Sequence, residues 1–386
     1  MPVYLDHAAT TPMADVALEV MTEQLKHLGN PSSLHSFGRE VRKDLESARE
    51  EIAIALDCHP SEIIFTASGT EANNTALKGL YWKGQAVGRN VVVVSAIEHH
   101  AILDPAEWLK VHEGAEVIEI GVDSNGVVHL DELEDLIARR ADEIAVISIM
   151  SSNNETGVLQ PVDKVVELAR SATILVHSDA VQSFGKVPLS FSNLGLTAMS
   201  VSAHKLGGPI GVGALVLRKG FDVPALLHGG GQERDIRSGT FNAPSILAFA
   251  AAVKENSHHF AERNAKVLEL RQKLTDGILE RVPDAYVNGM DAERLPGIVN
   301  VTIPGTESDT LLLLLDNEGI ACSTGSACTA GVQRPSHVLL AMGHTDRTAR
   351  SSIRFSLGAT STQFDVDQAL LFLPSVIERA RMANLR

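Results

Sequence analysis

The sequence predicts an α/β protein with a large domain built on a mainly parallel mixed sheet and a smaller α+β domain. Two observations support this prediction. Strand-like apolar runs alternate with amphipathic stretches up to about Ala250, which is the pattern of a parallel sheet covered by helices on both faces. Beyond that point the strand-like runs become short and scattered, as expected for a smaller domain of mixed architecture.

The predicted elements follow in chain order. Apolar residues at helical spacing predict an amphipathic helix over 41–56. Strand-like runs come next, separated by helix-like stretches, at residues 63–65, 91–94, 117–120, 144–150, 174–176, 199–201 and 214–217. A long helical segment over 246–282, with a predicted kink, leads into the second part of the chain. There we expect short strands at 298–303 and 353–357 and helices around Leu311, around Leu339 and from Phe364 onward.

Composition narrows the class of protein. In 386 residues, 33 basic and 48 acidic side chains give a net charge of −15. This charge argues against direct binding to nucleic acid and against binding to an anionic membrane. The first residues lack the features of a signal peptide, and the leucine run at 311–315 is too short to span a bilayer. Three cysteines form no disulfide framework and have no metal-type spacing with histidine. We therefore expect a cytoplasmic protein without a metal site.

Lys205 is the most informative single residue. It comes shortly after the run 199–201, and the neighbouring run 174–176 leads to Asp179, with Gln182 just beyond. A lysine at a strand end can form a Schiff base with an aldehyde cofactor, and a carboxylate nearby can keep the ring nitrogen of that cofactor protonated. Pyridoxal phosphate needs both groups. Either residue alone is more often a surface lysine or a helix-start aspartate.

Three further strands are followed by polar clusters. Gly69 and Thr70 open a helix after the run 63–65, where free N–H groups and the helix dipole favour a phosphate, although a simple helix cap is the alternative. His99 follows the run 91–94 and can lie flat on a pyridoxal ring; the adjacent His100 leaves the choice open. Asn154 follows the run 144–150, where a turn is the alternative. Ligands in such sheets bind at the carboxyl ends of the strands, so these clusters should meet.

Two loops and one strand residue complete the candidate site. The glycine-rich loop 228–240 ends at Thr240, whose hydroxyl could reach a phosphate; a plain surface loop is equally compatible. Cys328 lies in a small, polar, glycine-containing segment that we expect to be a mobile loop, and it is predicted to be an exposed reactive thiol. Cys322 has the pattern of an ordinary strand cysteine, and we assign it no role. Arg354 lies on a strand, where it suits a carboxylate clamp or an ion pair.

Together these residues resemble the cysteine desulfurases of the NifS/IscS type, group I, within the fold-type-I (aminotransferase-like) pyridoxal-phosphate enzymes. The resemblance runs from the segment at 4–11 to the segment at 351–358, and the surroundings of Cys328 resemble the group-I branch. It implies pyridoxal 5'-phosphate bound as an aldimine to Lys205, L-cysteine as substrate and a persulfide on Cys328. It also implies a homodimer and sulfur-acceptor proteins, such as an iron–sulfur scaffold or a tRNA-thiolation enzyme.

The resemblance also implies roles for individual residues. Lys205 would move the Cα proton, Asp179 would pair with the pyridine nitrogen, Gln182 with the ring oxygen, and His99 would stack on the ring. The phosphate would be held by Gly69, Thr70, Ser202 and His204, with Thr240 coming from the partner subunit. The substrate carboxylate would be bound by Asn30, Asn154 and Arg354.

The same resemblance suggests domain limits and competing functions. We expect a cofactor-binding domain over 15–255 and a small domain, carrying the cysteine loop, from 1–14 and 256–386. An aminotransferase or a selenocysteine lyase of the same fold is the alternative activity. A non-enzymatic metal or cluster module using Cys322 and Cys328 is a third hypothesis; the spacing of the two cysteines is poor for it, and it leaves the other motifs unexplained.

Overall fold

A seven-stranded mixed sheet forms the centre of the protein, as the alternating pattern predicts. A computed structural model describes residues 2–324 and 334–384. The sheet contains β2 (Ile63–Thr66), β3 (Val91–Ser95), β4 (Glu116–Ile120), β5 (Ile144–Ser148), β6 (Leu175–Asp179), β7 (Ala198–Ser202) and β8 (Gly213–Leu217). Their order is β2-β8-β7-β6-β5-β3-β4, and only β8 runs antiparallel to its neighbours. Every parallel strand therefore ends at the same edge of the sheet.

Buried β-branched side chains explain why these segments form central strands. All five residues of β3 are buried, four of them valines, and β5 and β7 are buried along their whole length. A strand that is apolar on both sides must be covered on both faces, which is the arrangement of a parallel sheet between helices. Two separate clusters of buried apolar residues accordingly lie against this sheet.

Eight helices belong to the part of the chain that surrounds this sheet. They are α1 (Asp15–Gln24), α2 (Ser36–Leu56), α3 (Gly69–Gln85), α4 (His100–Glu113), α5 (Leu130–Arg140), α6 (Val162–Arg170), α7 (Phe191–Leu194) and α8 (Ala243–His258). The long helical segment divides at His259, where α8 ends and α9 (Phe260–Arg281) begins. The predicted kink is therefore a break between two helices.

The rest of the chain builds two small sheets and their own apolar cluster. β1 (Val3–Tyr4) pairs with β11 (Ile320–Ala321), and β9 (Tyr286–Val287) and β12 (Ser352–Ser356) flank β10 (Ile298–Thr302). The helices here are α10 (Ser308–Asn317), α11 (His337–Ala341), α12 (Asp346–Arg350) and α13 (Gln363–Asn384). A third apolar cluster joins the small sheets to α9 and α13. The boundary at 255/256 stays a prediction.

The first residues of the chain hold a position that the site depends on. Leu5 and Asp6 run beside β12, and the Ala8 N–H donates to the Ser356 hydroxyl at 2.8 Å. This brings the carbonyls of Ala8 and Ala9 to the edge of the large sheet. Among the described residues, no helix is long and apolar enough to cross a membrane.

Candidate active site

A cavity of about 320 Å³ lies at the carboxyl ends of the parallel strands. Ten of the residues singled out from the sequence line it: Gly69, Thr70, His99, Asn154, Asp179, Gln182, Ser202, His204, Lys205 and Arg354. They come from the segments after β2, β3, β5, β6 and β7 and from β12. The common edge of the parallel strands brings them together, as predicted.

Lys205 lies on the wall of this cavity formed by the start of the chain. Its Nζ donates to the Ala8 carbonyl at 2.6 Å and to the Ala9 carbonyl at 2.7 Å. Burial lowers the pKa of Lys205 to about 8, and the nearby Arg354 charge adds to this effect. Asp179 and Asp6 act in the opposite direction but do not cancel it. Near neutral pH the amine is therefore much more often uncharged than an ordinary lysine.

The carboxylate of Asp179 is buried and held in one orientation. Its Oδ2 accepts from Asn73 Nδ2 at 2.6 Å, and its Oδ1 accepts from the Val181 N–H at 2.9 Å. Asn73 lies on α3, about one helical turn after Gly69 and Thr70, so it lines the same cavity. The carboxylate has acceptor positions left for a further N–H group, since each of its oxygens can accept more than one hydrogen bond.

His99 caps the start of α4 and faces the cavity. Its Nδ1 accepts from the Ala101 N–H at 3.0 Å, so the neutral ring carries its proton on Nε2. Burial lowers the pKa of His99, Asp179 opposes that shift, and the charge of Lys205 reinforces it. The adjacent His100 does not line the cavity; its Nδ1 contacts Asp104 at 3.0 Å on the exposed side of α4.

One end of the cavity suits a phosphate. The N-terminus of α3 opens there at Gly69 and Thr70, with Ser202 and His204 beside it. A Cβ added to Gly69 would lie 2.7 Å from Val181 Cγ2, so only glycine fits between this helix and the segment after β6. Burial lowers the pKa of His204 to about 4, and nearby lysines contribute, so its ring is neutral at physiological pH. Backbone N–H groups and neutral donors at a helix start are a typical phosphate site.

Arg354 also lines the cavity and is buried on β12. Its Nη1 donates to the Asn154 carbonyl at 2.8 Å, and its Nη2 donates to Asp6 Oδ1 at 2.7 Å. Its Nε is buried and has no hydrogen-bond partner among the described residues. A guanidinium carries five N–H groups, so Arg354, which lines the cavity, is suited to bind a carboxylate there.

Comparison with known proteins identifies the family. Residues 3–369 match the family described as Aminotransferase class-V. The chain is 47% identical to the IscS-like cysteine desulfurase of Mycobacterium tuberculosis over 99% of its length and 98% of that protein. It is 41% identical to the cysteine desulfurase IscS of Dictyoglomus turgidum, over 98% of this chain and 95% of that protein. A solved NifS-like protein, 37% identical, superposes with a TM-score of 0.91 over 98% of this chain and 100% of its own.

The chain belongs to the class-V aminotransferase family. Its similarity to proteins named IscS and NifS extends over nearly the whole chain, which confirms the resemblance found in the sequence. The fold-type-I architecture is confirmed by the same comparisons.

Class-V aminotransferases use pyridoxal 5'-phosphate, and the cavity fits that cofactor. A lysine amine whose pKa is lowered to about 8, an oriented carboxylate and a helix start lie around one space. These are the three groups that the aldehyde, the ring nitrogen and the phosphate of the cofactor need. The close packing around Gly69 lets the phosphate approach the helix backbone.

Two predicted residues do not line this cavity, and a third lies outside the residues that the structure describes. Asn30 is exposed, and its Oδ1 accepts from the Ser32 N–H at 2.9 Å. Thr240 is also exposed and does not line the cavity. Cys328 lies outside the described residues. The roles of these three residues stay predictions.

Cys322 is described, and its environment disfavours a reactive thiol. It is buried just after β11, and burial raises its thiol pKa to about 12. A thiol with such a pKa is almost fully protonated at neutral pH and is a weak nucleophile and metal ligand. Among the described residues, no group of three or more His, Cys, Asp and Glu side chains is arranged to hold a metal ion.

Sequence reasoning missed four residues that shape the site. Asn73 orients Asp179, Asp6 pairs with Arg354, and the carbonyls of Ala8 and Ala9 hold Lys205. Only Asn73 left a signal, because it follows Thr70 at helical spacing within the same motif.

Proposed function

We propose that this protein is a pyridoxal-phosphate-dependent cysteine desulfurase that converts L-cysteine to L-alanine and keeps the sulfur as a persulfide on Cys328. The observation that carries the proposal is the amine of Lys205, facing the same cavity as the oriented carboxylate of Asp179. Homologues named cysteine desulfurase cover almost the whole chain, which favours this activity over an aminotransferase or a selenocysteine lyase.

In this proposal each part of the cofactor would have its own partners among the residues of the cavity. Lys205 would bind its aldehyde, Asp179 would pair with its ring nitrogen and Gln182 with its ring oxygen, and His99 would lie against its ring. Its phosphate would be held by Gly69, Thr70, Ser202 and His204. When bound, the cofactor supplies an electron-withdrawing ring that stabilises negative charge at the substrate Cα.

The substrate is oriented by its carboxylate. Arg354 and Asn154 both line the cavity and would bind this carboxylate, and the Asn154 carbonyl accepts from Arg354 Nη1. Lys205 would take the proton from the substrate Cα. In the cofactor-free protein its pKa is about 8, and general bases work best when their pKa lies near the operating pH.

The sulfur step balances without an external oxidant. The thiolate of Cys328 attacks the substrate sulfur, so an S–S bond forms as the Cβ–S bond breaks. The electron pair of the broken bond remains with Cβ, which takes up a proton and becomes the methyl group of alanine. Cys328 is thereby oxidised to a persulfide while the substrate carbon is reduced, and an acceptor thiol then removes the outer sulfur.

We further propose a homodimer in which Thr240 of each protomer completes the phosphate site of the other. Thr240 is exposed and outside its own cavity, and the exposed apolar side chains of Leu28, Leu34 and Phe37 offer contact surface. Acceptors such as an iron–sulfur scaffold or a tRNA-thiolation enzyme fit a persulfide donor. We place the reaction in the cytoplasm, where thiols remain reduced.

Alanine release from L-cysteine, with a reductant present to clear the persulfide, tests this function. We expect many turnovers with equal amounts of alanine and sulfide. Cys328→Ala should keep the visible absorbance of the bound cofactor but form no persulfide, whereas the matched control Cys322→Ala should keep both. Sulfur transfer by Cys328→Ala at the wild-type rate would contradict the proposal, and 3-mercaptopyruvate, the oxo acid of cysteine, in place of alanine would indicate an aminotransferase.

A further inference from the structure

A second, smaller cavity lies next to the active site, on the far side of Lys205. Its volume is about 70 Å³, and it is lined by residues from the start of the chain, from the segment after β6 and from α9. Lys205 and Ala8 border both cavities. The basic groups that line the small cavity are His7, Lys186, Lys205 and Arg263. Arg263 donates to Glu255 at 3.0 Å, and burial lowers the pKa of His7 to about 4, which leaves its ring neutral.

Lys186 is the unexplained group in this small cavity. Among the residues that the structure describes, no carboxylate forms an ion pair with its ammonium group. Burial lowers the pKa of Lys186 to about 7, and repulsion from Lys205 and Arg354 adds to the shift. A lysine buried without a counter-ion is destabilising. Its Nζ donates a hydrogen bond to Gln182 Oε1 at 2.8 Å.

The contact matters because Gln182 lines the active-site cavity. At the other end of the same amide, Nε2 donates to the Ala8 carbonyl at 2.8 Å. The Ala8 carbonyl can only accept, so it requires the amide nitrogen on its side, and the Lys186 amine can donate to Oε1 whether it is charged or neutral. The two contacts therefore favour the same orientation of the amide. Oε1 must face Lys186 and Nε2 must face Ala8. The second N–H of Nε2 is therefore the donor that Gln182 has left to offer.

We propose that Lys186 is a positioning residue that fixes the amide of Gln182 with its N–H group toward the ring oxygen of the cofactor. The proposal rests on the proposed function, since it takes Gln182 as the partner of that oxygen. The same contacts also position Lys205, because its amine shares the Ala8 carbonyl with Gln182. Lys186 thus acts on the cofactor through Gln182 without touching it.

Loss of the Lys186 amine would leave this orientation held by the Ala8 carbonyl alone. Oε1 would then be buried without a donor, so the amide would be held less firmly. The hydrogen bond from its remaining N–H to the ring oxygen would be weakened. The ring oxygen would hold more negative charge, and it would attract the proton on the neighbouring lysine nitrogen more strongly.

The experiment compares Lys186→Met with wild type by two readouts: the dissociation constant of pyridoxal phosphate and the pH midpoint of the visible absorbance of the bound cofactor. We expect the dissociation constant to rise about tenfold, the equivalent of about 1.4 kcal/mol, and the midpoint to move to higher pH. Lys164→Met serves as the matched control, because Lys164 is an exposed lysine paired with Glu167, and it should change neither readout.

A double-mutant cycle separates positioning from a direct effect of charge. In a Gln182→Leu background, Lys186→Met should add little to either readout, because there is no amide left to orient. Equal effects in both backgrounds, or no effect in either, would overturn the proposal. If Lys186→Met does not fold, Lys186→Gln replaces it: this variant keeps a donor without the charge and should bind the cofactor like wild type, and weakened binding would overturn the proposal.

Failure of this inference is distinguishable from failure of the proposed function. If Lys186 has no positioning role, Lys186→Met binds the cofactor normally in a protein that still makes alanine from cysteine. If the desulfurase proposal fails, the wild-type protein itself makes no alanine although it binds the cofactor.

Discussion

The reactivity of Lys205 in the cofactor-free protein is the property that the structure specifies most directly. Burial and the Arg354 charge lower its pKa from 10.5 to about 8. At pH 7.5 about a quarter of Lys205 is then uncharged, against roughly one part in a thousand of an ordinary lysine. We therefore expect Lys205 to react with a small neutral aldehyde a few hundred times faster than an exposed lysine at that pH, steric access being equal.

Reductive methylation with formaldehyde, quantified by peptide mass spectrometry, measures this difference within one sample. Lys164 is the internal control, since its neighbour Glu167 raises its pKa. The labelling rate of Lys205 should rise about tenfold per pH unit below pH 8 and level off above it, while that of Lys164 keeps rising past pH 10. The sign follows from the lowered pKa, because the reactive neutral amine already predominates above pH 8.

Arg354→Gln tests the cause of the shift. It removes a positive charge near Lys205 and releases Asp6 from its ion pair, and both changes raise the pKa of Lys205. A rise of about one unit would slow labelling at pH 7.5 about tenfold. The reasoning would be refuted if wild-type Lys205 were labelled no faster than Lys164, or if its rate kept rising beyond pH 9.5.

Two further predictions concern buried groups next to the site. Ser336 caps α11, and its hydroxyl donates to the buried Glu155 carboxyl group at 2.5 Å. Ser336→Ala should therefore lower the free energy of unfolding, measured by urea denaturation, by about 2–4 kcal/mol. The exposed control Ser375→Ala should change it by less than about 0.5 kcal/mol. Burial raises the pKa of Glu98 to about 8. Between about pH 4.5 and pH 8 the folded state therefore binds more protons than the unfolded state, so the free energy of unfolding falls as pH rises through that range. The melting temperature of Glu98→Gln relative to wild type should therefore increase from pH 5 to pH 8, and a constant difference would contradict this assignment.

The fold and most of the cavity could be predicted because both follow from local patterns. Apolar runs such as 91–94 predict buried parallel strands, and parallel strands place the residues that follow them at one edge. This is why His99, Asn154, Asp179 and Lys205 could be grouped from positions far apart in the chain. The positions of Asn30 and Thr240 could not be predicted in this way, because neither directly follows a strand of the large sheet. In the structure neither residue lines the cavity.

The contacts that adjust the chemistry were not predictable, because they join segments whose approach depends on the whole fold. Asp6 and Arg354 are 348 residues apart, and they meet only because the start of the chain runs beside β12. Periodicity describes which side of an element is buried, and it does not specify which distant segment covers that side.

The Ala8 carbonyl shows this limit most clearly and has a consequence for catalysis. A backbone carbonyl has no side-chain identity, so no residue type at position 8 reveals that both Lys205 and Gln182 donate to it. Its position is set by the hydrogen bond between the Ala8 N–H and Ser356 on β12. A displacement of β12 relative to the large sheet would therefore withdraw the acceptor from Lys205, and the same displacement would carry Arg354 with it. One strand thus positions both the Lys205 amine and the Arg354 guanidinium. In the proposed function this would couple the binding of the substrate carboxylate to the placement of the base.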